Sequence, residues 1–185
     1  MNTGTMTILI NENILLELTG RQHAKALYDA VNTNRKHLSA FLPWVDKMQS
    51  VENFEEYLEY CTMLYQQKKE VSFVIMWKED AVGRIGLHHI DQQNKSASIG
   101  YWLTKEAQGH GIISQSCTAL IDYGFNELHL HRIEIKAAVS NTRSRHIPEI
   151  LGFTKEGILR EAELVNGRYL DLVLYSLLKR EWDEL

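Results

Sequence analysis

The sequence predicts an α/β fold, a mixed sheet of about seven strands, mostly antiparallel around a central parallel pair, with helices on both faces. Three observations predict it. From Ser96 to Leu103, apolar Ala97, Ile99, Tyr101 and Leu103 alternate with Ser96, Ser98, Gly100 and Trp102, the two-residue period of a pleated strand. Past Lys105-Glu106-Ala107 the period changes, and Ile113, Cys117, Leu120, Ile121, Gly124 and Leu128 recur three or four apart, as on one helix face about five turns long. From His131 to Val139 the alternation returns, with Ile133, Ile135, Ala137 and Val139 facing one way and Arg132, Glu134 and Lys136 the other. Strand, helix and strand make a βαβ unit, whose two strands run parallel if they share a sheet.

The remaining elements fall in order around this unit. Met1 to Thr5 are expected to be loose, while Thr7–Ile10 and Ile14–Leu18 read as short strands or one broken strand. Arg21 to Val31 is an amphipathic helix with Ala24, Leu27, Tyr28 and Val31 on one face. Asn34 is placed to cap a second helix through Phe41, which must end near Leu42 because Pro43 disfavours helical backbone before it. Pro43-Trp44-Val45 then forms a loop, and Glu52 to Gln67 a third helix whose acidic opening suits the positive end of the helix dipole. Val71–Trp77 and Val82–Ile90 make a hairpin through Lys78-Glu79-Asp80-Ala81. Asn141 can cap a helix through Leu151 that stops at Gly152. Phe153–Val165 and Arg168–Leu178 flank Asn166-Gly167, the favoured pair for a two-residue hairpin turn. There is no repeat and no linker, so residues 1–185 are expected to form one domain.

Composition narrows the function. With 44% apolar residues, a net charge of −4 and scattered Lys and Arg, the chain has a core but no basic patch for nucleic acid. The N-terminus lacks a basic region followed by an apolar run, and no stretch approaches the apolar length of a membrane span, so a cytoplasmic protein without a membrane partner is expected. Cys61 and Cys117 sit among apolar neighbours and read as buried free thiols. His88 and His89 adjoin in a strand and point to opposite sides, so no metal is expected there.

The chemistry-bearing stretch is Gln108-Gly109-His110-Gly111-Ile112, which lies between strand and helix. The first amides of a helix have no internal partner and carry the positive end of its dipole. Glycines there would let a diphosphate lie against the amides, although the pattern is neither G-x-G-x-x-G nor a Walker loop. Gly100-Tyr101-Trp102-Leu103, this loop, Asn141-Thr142-Arg143-Ser144 and Leu151-Gly152-Phe153-Thr154-Lys155-Glu156-Gly157 together resemble the GNAT acyltransferase superfamily, and within it the ribosomal-protein N-terminal acetyltransferase group. The likeness spans nearly the whole chain and is strongest from Ser96 to Tyr175. Where the family's loop usually ends on a small residue, this chain has Ile113.

The resemblance implies a GNAT-like domain in which the strands Ser96–Leu103 and His131–Val139 splay apart and admit the pantetheine arm of acetyl-CoA. It implies that acetyl-CoA meets Trp102, Leu103, Gln108, Gly109, His110, Gly111, Ile112, Ile113 and Ser114, with Asn141 as a pantetheine partner beside its capping role. The common superfamily pattern has a tyrosine acid four residues before the glycine of Gly152-Phe153; here that position is Pro148, which has no donor. Ser144, one turn earlier on the same face, is the implied stabiliser or proton donor of the leaving thiolate. Glu163 is the implied base, with Tyr175 and His89 behind it and Glu161 sharing its face at a spacing of two. Trp44 is either core filler or a wall of the acceptor site.

Acetyl transfer to an amine needs a neutral nucleophile. An α-amine has a pKa near 8 and a lysine near 10.4, a difference of roughly 3 kcal/mol, so one carboxylate suffices more readily for a protein N-terminus. Three readings follow: an N-acetyltransferase acting on a protein N-terminus, the same chemistry on a small amine such as a polyamine or antibiotic, and a CoA-binding regulator without turnover. A homodimer is compatible with each, with no sequence feature that requires one.

Overall fold

In a computed structural model, residues 6–184 are described, and they form one eight-stranded sheet. Its strands are β1 (Thr7–Asn11), β2 (Ile14–Leu18), β3 (Val71–Trp77), β4 (Asp80–Asp91), β5 (Ser96–Leu103), β6 (Arg132–Ala138), β7 (Thr154–Val165) and β8 (Arg168–Leu178), in the spatial order β1-β2-β3-β4-β5-β6-β8-β7. The helices are α1 (Ala24–Leu38), α2 (Val51–Gln66), α3 (Ile112–Asn126), α4 (Thr142–Ile150) and the short α5 (Lys179–Trp182). The expectation for Met1 to Thr5 lies outside the described residues.

Two expectations about elements are corrected. There are eight strands rather than about seven, because the Asn11 carboxamide accepts from the amides of Asn13 at 2.9 Å and Ile14 at 3.0 Å and makes a turn between two separate strands. The two helices expected from Arg21 to Phe41 are one helix, α1, ending at Leu38. Asn34 is not its cap but sits buried inside it. Its Nδ2 donates to the Ala30 carbonyl at 3.0 Å, and its Oδ1 accepts the Lys105 amide at 2.9 Å. With both ends of the carboxamide satisfied, the usual competition of Asn with the helical backbone disappears.

Every neighbouring pair is antiparallel except β5 and β6, which run parallel. That pair is joined only from Ser96 opposite Arg132 to Ile99 opposite Ile135. Beyond it both strands continue without each other, β5 to Leu103 and β6 to Ala138.

The sheet separates two apolar cores. Strand β3 serves both, since Val71, Phe73 and Ile75 pack with Cys117, Leu120, Ile121 and Phe125 of α3, while Val74 packs with Leu27 and Val31 of α1 and Phe54 and Leu58 of α2. Cys61 and Cys117 are buried free thiols. The β7–β8 turn places Asn166 at φ 49° and Gly167 at φ 74°, the double positive φ that the pair Asn-Gly supplies.

One buried ionic cluster interrupts the apolar face under α2. Arg84 of β4, 7% exposed, donates to Thr19 Oγ1 at 3.3 Å, Ser72 Oγ at 2.6 Å, Glu70 Oε1 at 3.2 Å, the Cys61 sulfur at 3.0 Å and the Tyr57 hydroxyl. Glu70 in turn meets His88 Nδ1 at 2.9 Å. Burial alone would raise the Glu70 pKa, but His88 and Arg84 more than offset it and hold the carboxyl below its ordinary value. Burial pushes the Tyr57 hydroxyl up to about 12 despite the adjacent guanidinium. Replacing Arg84 by Met leaves the buried Glu70 with His88 as its one remaining ionic partner, and the expected cost is about 3 kcal/mol in urea unfolding, partly recovered by adding Glu70→Gln.

Candidate active site

The end of β5 and the loop to α3 form the centre of the site. Gly111 caps α3 in the left-handed conformation, φ 69°, and offers no side chain to the first-turn amides. Gly109 also has positive φ, 83°, and a Cβ built on it would face open space, so the backbone angle rather than crowding demands glycine there. The amides of Ile112, Ile113 and Ser114 therefore open the helix without a side-chain cap, an arrangement that accepts a phosphate. Ile112 is buried and Ile113 packs against the core, so each brings only its amide to the loop. The Ser114 hydroxyl is already used, donating to the Gly111 carbonyl at 2.9 Å.

The loop is braced from two helices. Asn34 of α1 holds its entry through the Lys105 amide. Gln108 then joins both sides: its Nε2 donates to His37 Nε2 at 2.7 Å, and its Oε1 accepts from Arg143 of α4. Burial lowers the His37 pKa, and the nearby Arg143 charge lowers it further, which keeps the ring neutral and able to accept from Gln108. His110 points away, its ring 4.8 Å from that of Trp77.

Where β5 and β6 have parted, β5 alternates between the two faces. The Leu103 side chain is buried in the α3 core, leaving its backbone at the gap. Trp102 turns to the other face, beside Arg84 in register, and meets Trp44 with ring centroids 5.9 Å apart. Trp44 is half-buried, so it is both core filler and part of an aromatic wall. Tyr101 turns toward α4, and its hydroxyl donates to the Ser144 carbonyl at 2.7 Å. Ser144 Oγ lies 3.3 Å from the same hydroxyl. Asn141 caps α4, its Oδ1 accepting the Ser144 amide at 3.2 Å. Asn141, Ser144 and Tyr101 thus form one hydrogen-bonded group, and His37, Gln108 and Arg143 a second, the two adjoining at the neighbouring residues Arg143 and Ser144.

Glu163 belongs to a different element. It follows a bulge in β7, where the register with β8 jumps between Leu159 and Glu163 and Glu161 takes φ 51° with its amide on Asp171 Oδ1 at 2.8 Å. The bulge corrects the expectation that Glu161 and Glu163 share a face in a regular pleat: Glu161 is exposed, whereas Glu163 is half-buried. Burial alone raises the Glu163 pKa. Past Glu163, the hairpin tip is tied by Asn166 Nδ2 to the Ser39 carbonyl at 2.9 Å, against the end of α1 that leads to Trp44. Of the reserve bases, Tyr175 is buried, donating to Glu149 at 2.8 Å and accepting from Arg145 at 3.2 Å, and His89 is exposed in the β4 bulge at φ 54°. Among the described residues no His, Cys, Asp and Glu cluster could hold a metal ion, and no helix is long and apolar enough to cross a membrane.

Sequence reading missed Tyr101, His37 and Arg143 as parts of the site. Tyr101 and Arg143 lie within the motifs that carry the resemblance, but their partners, 43 and 35 residues away, left no local trace.

Comparison with known proteins gives a consistent family. The model for the acetyltransferase (GNAT) domain matches residues 13–154. A ribosomal-protein-serine acetyltransferase of Escherichia coli (strain K12) is 36% identical over 93% of this chain and 96% of its own length. A spermidine N(1)-acetyltransferase of Vibrio cholerae serotype O1 is 29% identical over 94% of this chain and 97% of its own. The solved structure of RimL, a ribosomal L7/L12 alpha-N-protein acetyltransferase in complex with coenzyme A, superposes with a TM-score of 0.90 at 29% identity, covering 94% of this chain and 98% of that one. With its parted parallel strands and its glycine-capped helix, the chain belongs to the acetyltransferase (GNAT) domain family and is an N-acetyltransferase.

Proposed function

We propose that the chain transfers the acetyl group of acetyl-CoA to the N-terminal α-amine of a protein. The observation that carries this reading is the likeness, over nearly the whole of both chains, to an enzyme that acetylates a ribosomal-protein serine. The geometry supports it in each role. The amides of Ile112 to Ser114 bind the pyrophosphate, and the gap between β5 and β6 takes the pantetheine arm, with Asn141 as its polar partner. The Trp44–Trp102 wall borders the acceptor beside the β7–β8 hairpin.

Glu163 accepts the proton that the amine sheds as its nitrogen bonds to the acetyl carbon, directly or through water. Ser144 donates its hydroxyl hydrogen bond to the sulfur as the carbon–sulfur bond breaks, and the thiolate then takes a proton from solvent. Pro148 leaves no other donor at the position one turn on. The likeness to a spermidine acetyltransferase favours a polyamine as the second reading of the acceptor.

Thiol release from acetyl-CoA separates the two. Two peptides sharing an internal lysine are compared, one with a free Ser or Ala terminus and one blocked, beside a polyamine panel. Release with the free-terminus peptide alone is expected; release with a polyamine alone overturns the protein acceptor.

The base assignment has its own test. A raised pKa means that Glu163 is protonated, and inactive as a base, up to a higher pH than an ordinary carboxylate, so kcat/KM should climb with pH through that range. Glu163→Gln should lower kcat by about 10²-fold and abolish that acid limb, leaving only the limb of the amine itself. A profile unchanged in the variant would remove Glu163 from the mechanism. At the loop, Gly109→Val forces a branched residue to positive φ, and a rise of about tenfold or more in KM for acetyl-CoA is expected with kcat less affected.

A further inference from the structure

We propose that Tyr101 is the positioning residue for Ser144, supplying from β5 the hydrogen bond that Pro148 takes out of α4. The proposal rests on the reading of Ser144 as the hydroxyl that meets the thiolate.

In an unbroken helix the Ser144 carbonyl would accept the amide of the residue four positions on. That residue is Pro148, which is buried within α4 and has no amide hydrogen. The carbonyl is not left orphaned, because the Tyr101 hydroxyl donates to it at 2.7 Å. Ser144 Oγ in turn donates to the same hydroxyl oxygen at 3.3 Å, so one group meets both the backbone and the side chain of Ser144 and holds the serine proton that turns to the sulfur as the thiolate forms. Two contacts from one atom fix where the serine sits and which rotamer it holds.

Tyr101 is itself well anchored. Its ring packs against the α3 core, and its strand is paired with β4 on the other side through Ile85. Burial pushes its hydroxyl pKa far up, so the group stays a neutral donor at every working pH. Its place in the fold is equally specific. Tyr101 stands beyond Ile99, where β5 has lost β6, and Ser144 stands at the start of the helix that follows β6. The contact therefore spans the opening between the parted strands.

The test measures kcat and acetyl-CoA KM, by thiol release with the acceptor that responds best in the panel above, for wild type, Tyr101→Phe, Ser144→Ala, their double variant, and Tyr101→Phe with Pro148→Ala. Removing one hydroxyl donor should lower kcat about tenfold in Tyr101→Phe while acetyl-CoA KM stays within about twofold. Pro148→Ala gives back an amide to the Ser144 carbonyl and should restore the Tyr101→Phe enzyme to within about threefold of wild type. Because Tyr101 acts through Ser144, Tyr101→Phe should cost less than about twofold further once Ser144 is Ala. A merely structural tyrosine would give the same loss in both backgrounds, and that result overturns the proposal. So does a Tyr101→Phe enzyme with wild-type kcat while Ser144→Ala is impaired, which leaves the serine reading standing. Ser144→Ala with wild-type kcat instead removes the serine reading and this proposal with it. Should the variant carrying Pro148→Ala fail to fold, the cycle with Ser144→Ala decides alone.

Discussion

The structure depends on the parting of two parallel strands. Strands β5 and β6 hydrogen-bond through Ile99 and Ile135 and then diverge, so each must satisfy its backbone elsewhere or leave it for a ligand. A sheet that opened in this way without support would close or fray. It does neither, since β5 keeps β4 on its far side as far as Leu103, and β6 keeps β8 as far as Ala138. Across the opening runs the Tyr101–Ser144 contact, and at its mouth the loop into α3 is clamped by Gln108 between His37 and Arg143. The opening is a built feature with walls, a crosspiece and a rim.

The charges around it are arranged with the same economy. Three titratable groups near the opening are pushed toward their neutral forms: burial, with the Arg143 charge beside it, lowers the His37 pKa, and burial raises those of Tyr101 and Cys117. The α3 terminus adds partial positive charge, and the Arg143 guanidinium stands beside it with Lys105 and Glu106 of the loop. The buried ion cluster around Arg84 stands on the other face, behind Trp102, where its partners fully engage it.

Local patterns in the sequence carried much of the fold. The βαβ unit, the hairpin at Asn166-Gly167 and the cap at Asn141 depend on residues within a few positions of one another, and each was readable for that reason. Asn34 misled because a mid-helix asparagine resembles a cap until its partner is known, and that partner, Lys105, is 71 residues away. The link from Tyr101 to Ser144 spans 43 residues, and that from Gln108 to Arg143 spans 35. No periodicity reports such pairs. The irregular backbone before Glu163 was hidden too, because a bulge breaks the period on which the reading of Glu161 and Glu163 relied.

Strand β3 gives the molecule a mechanical property as well. From Val71 to Ile75 it is buried on both sides, its odd-numbered side chains in one core and Val74 in the other. Neither core can loosen at this strand without exposing the other to water. Hydrogen exchange at its amides would then require an event close to global opening and be slow, and local breathing is left to the loop, the hairpin tip and the outer strands.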